Sequence, residues 1–250
     1  MATHRQRIVK VLLAAATAGL FCAGASAQEP EVVAVVLDAN ITRSDLAALT
    51  DDRPRARKLL ALIWDYVASH YIASRGLEAT DAEIAELAAY HRRFQAMDRS
   101  QRARKIDELD QRLRNEALSS QERARLQEFR AILQRLARYD AERDKEPPED
   151  PERQAALYAS RIEGWKMNKA LQEEYGGVVA LTQFGQDPHG ARAALLRDYE
   201  ARGLLFITDA ALLAEVRETL AARPSAVVPS GRVDFMPYWK RPILPSYLPD

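Results

Sequence analysis

A mainly α-helical chain with one small β-sheet is what this sequence predicts, and three observations predict it. Apolar residues recur at three- and four-residue steps over most of its 250 residues. The 29% of charged residues and only 10 glycines suit long solvated helices better than a large sheet. Three short β-branched or aliphatic runs, 32–36, 178–184 and 204–207, lie far apart in the chain, and a single small sheet is the economical way to bury them.

The first residues read as an address. Arg5, Arg7 and Lys10 make a basic leader, residues 11–23 are almost wholly apolar or small, and Ala25-Ser26-Ala27 is a small-x-small cleavage site. Residues 1–27 are therefore expected to be a signal peptide cut after Ala27. Phe21 before Cys22 argues against lipid attachment, and removing the leader removes the only cysteine. The expected product is an exported, periplasmic chain stabilised by packing, without disulfides and without a transmembrane segment. Thirty-six basic and thirty-six acidic residues balance, which gives no electrostatic case for nucleic acid.

Val32 to Val36 suits a strand, Leu37 to Asn40 a turn, and Ile41 is placed to resume pairing before Thr42 or Ser44 caps a helix; Thr42 with Asp45 is a capping-box pair. A second helix starts near Asp51-Asp52-Arg53-Pro54, carries Leu59, Leu60, Ile63, Val67 and Tyr71 on one stripe, and ends at Gly76. Thr80 caps a third. Residues 28–98 form one unit on this reading. Residues 99–146 are a charged antiparallel hairpin, its arms seamed by Ile106, Leu109 and Leu113 against Leu126, Phe129, Leu133 and Leu136, with Ser119 and Glu122 recapping between them. Glu146-Pro147-Pro148 breaks the helix. Residues 147–223 are an α/β part that packs back on the first: a helix from about 152 to 175, the strand 178–184, a helix capped by Asp187-Pro188 and closed by Gly203, the strand 204–207, and a last helix after Thr208-Asp209. Six of the twelve prolines fall in 224–250, so that tail is expected to lie extended over the surface, anchored by Phe235, Tyr238, Trp239 and Tyr247.

The stretch VVAVVLDANITRSDL (32–46), followed by LLALIWDYVASHYIASRGLEATDAEIAEL (59–87), resembles the N-terminal module of SurA-type periplasmic chaperones and their parvulin-linked relatives. The shared elements are a strand and turn, the ITRSDL helix start, a helix with an apolar stripe, Gly76-Leu77, and the TDAEI helix start. The resemblance spans roughly a quarter of the chain. It implies a helical cradle that holds unfolded or outer-membrane polypeptides without ATP or any cofactor, completed by a returning C-terminal segment. No stretch resembles a parvulin isomerase domain; the charged hairpin occupies its place, and no catalytic residue carries over.

Two sets of residues are candidates for function. Trp64, Tyr66, Tyr71, Trp165 and Met167 are placed to line a client-binding groove, where aromatics and a flexible thioether give tolerant contact, although their spacing equally fits a core. Gln183, Asp187 and His189 form a polar junction at a helix start that could bind an anion, with Asp187 orienting His189 as a base; capping alone accounts for the same residues. His70, His91 and His189 are too dispersed for a metal motif. The expectation is a chaperone-like or adaptor protein that binds exposed apolar polypeptide. The alternatives are an exported enzyme working at the 183–189 junction and a scaffolding factor that docks one dedicated exported partner through the hairpin.

Overall fold

A computed structural model describes residues 31–147 and 150–244. The leader, Pro148, Glu149 and Tyr247 lie outside them. The fold is mainly helical, with one three-stranded antiparallel sheet and a separate two-stranded one.

β1 (Val32–Val36) turns back into β2 (Ala39–Thr42) through Leu37 and Asp38, whose φ angles of 50° and 66° give the turn a twist that matches a two-residue hairpin. Thr42 then caps α1 (Arg43–Ala48) in a reciprocal box with Asp45. α2 (Arg55–Arg75) buries Leu59, Ile63, Val67 and Tyr71 and ends on Gly76 at φ 62°. α3 (Asp81–Leu113) starts from a Thr80–Glu83 capping box and runs unbroken through the boundary expected at residue 98. Its thirty-three residues span about 50 Å. α4 (Ser120–Arg143), recapped by Ser119 and Glu122, packs back along α3. Leu109 and Leu133 are its fully buried seam, whereas Phe129 and Leu136, expected to share that seam, keep substantial exposure.

α5 (Pro151–Tyr175) is capped by Asp150 with Pro151 in its first turn. The strand expected at 178–184 is instead a hairpin of β3 (Ala180–Thr182) and β4 (Gly185–Asp187). Gly185 at φ 107° and a Thr182 hydroxyl that donates to the Gly185 carbonyl at 2.9 Å fold the chain there, leaving Phe184 91% exposed at the turn. This hairpin forms its own sheet, so the expected single sheet of all three runs is corrected. β5 (Leu205–Ile207), which follows α6 (His189–Ala201) and precedes α7 (Ala210–Ala221), pairs antiparallel with β1 in the order β2-β1-β5.

Both ends of the described chain thus meet in one core. Val33, Val36 and Ile41 pack with Leu59, Ile63, Met167, Leu171, Leu195, Tyr199 and Leu212. A second, smaller cluster joins Leu87, Tyr90 and Ile162 to Trp239 of the tail. The tail is less extended than its prolines suggest: it makes two short 3-10 turns, at Ser230–Arg232 and Tyr238–Lys240, and an isolated bridge between Val227 and Ala180.

Candidate functional site

The polar junction is held together by structural contacts. Asp187 is the last residue of β4, and its carboxylate meets Arg192 Nη1 at 2.9 Å instead of capping α6 or touching His189. The first residue of α6 is His189, whose Nε2 lies 3.2 Å from the Ala222 carbonyl. Gln183 is exposed in the β3–β4 turn. The expected anion-binding N-terminus is filled by the chain itself, because Gly190 N donates to Val178 O at 2.8 Å. A Cβ on Gly190 would stand 2.6 Å from Val178 N, so glycine is what permits this approach.

The five groove candidates do not share a surface. Tyr71 and Met167 are core residues, 3% and 5% exposed; the Tyr71 hydroxyl donates to Glu174 at 2.7 Å, and burial together with that carboxylate raises its pKa. Trp64 lies beneath the Arg192 guanidinium, 4.8 Å from the ring centroid. Arg192 also donates to Asn168 at 3.1 Å and so ties α2, β4 and α5 together; burial lowers its pKa, and the Asp187 charge opposes that. Trp165 is covered by the tail: its indole N–H donates to the Phe235 carbonyl, and its ring meets Trp239 edge-on at 5.6 Å. Tyr66 is exposed.

Of the histidines, His70 Nδ1 meets the Tyr199 hydroxyl at 2.6 Å, and His91 stacks on Tyr158 while its Nε2 meets the Tyr238 hydroxyl at 3.0 Å. Among the described residues, no three His, Cys, Asp or Glu side chains gather as a metal site. No helix there is long and apolar enough to cross a membrane.

Two of the concavities among the described residues adjoin helices that carry these candidate side chains. A hollow of about 720 Å³ lies between α5, the β3–β4 turn and the tail, walled by Trp165, Phe184, Met236 and Tyr238 with Arg161 and Asp234. A smaller, more apolar groove of about 330 Å³ opens between α2, α6, α7 and β5. Leu60, Ile63, Leu196, Leu213, Val216 and Leu220 form its walls, and Leu205 and Ile207 of β5 line it as well. Its charged groups are Arg197 and an Arg217–Glu200 pair at 3.5 Å.

β5 is an edge strand, and its main chain is oriented by its pairing. Leu37 N donates to Leu204 O at 2.9 Å and Thr208 N to Val33 O at 3.0 Å. Antiparallel alternation then pairs Phe206 with Val35 and turns the main-chain groups of Leu205 and Ile207 outward, where no described strand joins them. Phe206 points off the opposite face, 64% exposed. Sequence periodicity marked these residues only as a buried run; that their side chains would line a groove depends on how α6 and α7 flank β5, for which the sequence carries no local signal. No family model matches the chain, and no curated protein or solved structure matches it.

Proposed function

We propose that this protein is an exported, periplasmic chaperone-like or adaptor protein that holds exposed apolar polypeptide without ATP. The observation that carries the reading is the groove between α2, α6, α7 and β5, an open apolar trough beside an edge strand with outward-facing main-chain groups. That pairing of features suits extended chain: main-chain hydrogen bonds supply affinity to any sequence, and a trough under alternate side chains favours apolar ones. The leader-like residues 1–27 and the resemblance of 32–46 and 59–87 to the SurA-type module support the compartment and the client class.

The reading relocates the client surface. Of the residues expected to hold clients, Tyr71 and Met167 are buried, Trp165 is covered by the tail, Trp64 lies under Arg192, and Tyr66 is exposed away from the others; the groove between α2, α6, α7 and β5 takes their place. The mature protein in several-fold excess is expected to suppress aggregation of an unfolded β-rich client. Leu213→Glu, at a partly exposed wall of the groove, is expected to remove most of that protection while circular dichroism stays unchanged. Full protection by the Leu213→Glu variant, or none by the parent protein, would exclude this role.

A further inference from the structure

The hairpin carries a second apolar seam that the described residues leave partly open to solvent. On α4, Phe129, Ile132, Leu136 and Tyr139 follow one another at steps of three, four and three residues and are 37%, 38%, 43% and 64% exposed. Leu133 faces α3, the one element against which α4 packs extensively; Phe129 and Leu136, one turn before and after it, border that contact, and Ile132 and Tyr139 turn the stripe further toward solvent. Its spacing is that of an a/d coiled-coil seam nearly three turns long, about 15 Å. A strand, with alternate side chains every two residues, does not match that repeat.

The charges around the stripe specify its partner. Arg125 lies four residues before Phe129 and Arg143 four after Tyr139, so both ends of the seam are cationic. Arg125, Arg135, Arg138 and Arg143 have no side-chain ion pair or hydrogen bond among the described residues. The acids of α4 and its C-cap are largely engaged: Asp140 with Arg102, Asp144 with Arg99 at 2.7 Å, Glu142 with Lys145 at 2.7 Å, and Glu122 in the helix cap. A second copy of this chain fits poorly, because pairing over the whole seam sets arginine against arginine whether the helices run parallel or antiparallel. A membrane surface would call for a broader apolar face than four residues on one narrow line.

We infer that the outward face of α4 is a docking surface for an amphipathic helix of another protein, with apolar residues at a and d positions and acidic residues at both ends. This goes beyond the client groove and uses none of its residues. The probe is a synthetic three-heptad peptide with leucine at a and d and glutamate at the flanking positions of both ends, titrated calorimetrically into the whole protein. Saturable one-to-one binding is expected. It should weaken at least tenfold in Ile132→Glu and in the double variant Arg125→Glu, Arg143→Glu, and the latter should instead prefer a lysine-flanked version of the peptide. All substituted side chains are exposed, and circular dichroism confirms that each variant is folded. Absence of binding, binding indifferent to Ile132→Glu, or equal affinity for the two peptides by the parent protein would overturn the inference. So would stripe-dependent self-association in sedimentation velocity, or stripe-dependent binding to phosphatidylglycerol vesicles by a protein that ignores the peptide.

Discussion

Gly190 shows how little space the fold leaves at a place where the sequence suggests chemistry. Its neighbours Asp187 and His189 are polar and sit at a helix start, yet the backbone of Val178 occupies the position that a bound anion would take. An alanine here must push back main chain instead of a flexible side chain, since the nearest atoms are Val178 N and Gly177. Gly190→Ala is expected to lower stability by about 1–3 kcal/mol, read from the urea midpoint at constant slope. Asp187 illustrates the same economy, because its carboxylate serves Arg192, and through Arg192 the Trp64 ring, instead of a catalytic base.

Among the elements, the α3–α4 hairpin is where charge and apolar contact divide the labour. Beyond residue 98 its fully buried aliphatics, among the described residues, are Leu109 and Leu133, and around them Arg102 bridges Asp98 and Asp140 while Arg130 reaches Asp110. With so few apolar contacts, Leu133→Ala is expected to cost about 2–4 kcal/mol and to loosen the far end of the hairpin before the main core, measured as faster amide exchange confined to α3 and α4 beyond residue 98. The hairpin was legible in the sequence because its seams, the Ser119 cap and the proline stop are local signals. Thr42, Thr80, Gly76 and Asp209 were legible for the same reason: a cap is written in the residues that make it. The β3–β4 hairpin was hidden because Val178-Val179-Ala180-Leu181 has the composition of a core strand, and only the left-handed Gly185 shows that it folds on itself. The separation of Trp165 from Tyr71 and Met167 was hidden as well, since periodicity assigns a face to a helix but not the element that meets that face.

At the scale of the whole molecule, the tail from residue 224 closes over α3 and α5. Trp239 fills the second cluster, Tyr238 accepts a hydrogen bond from Arg161 at 2.9 Å, and His91 lies against both aromatic and cationic neighbours. Burial, with the Arg161 charge beside it, holds the His91 imidazole below its ordinary value, so the docked state binds a proton less readily than the open one. The sign follows: the docked tail loses stability as pH falls through the ordinary histidine value near 6.5 and stops losing it once His91 is protonated in both states. Tryptophan fluorescence of Trp165 and Trp239 is expected to report a looser tail at pH 5 than at pH 8. His91→Gln is expected to flatten that dependence, and an unchanged profile in the variant would assign the effect to another group. The pairing of β1 with β5 has a consequence in time. Val35 must wait for Phe206 before the sheet can close, so almost the entire chain has to emerge before the core exists. A chain growing from its N-terminus holds β1 without its second partner strand until the last helices arrive, which leaves that edge exposed to aggregation over the same interval.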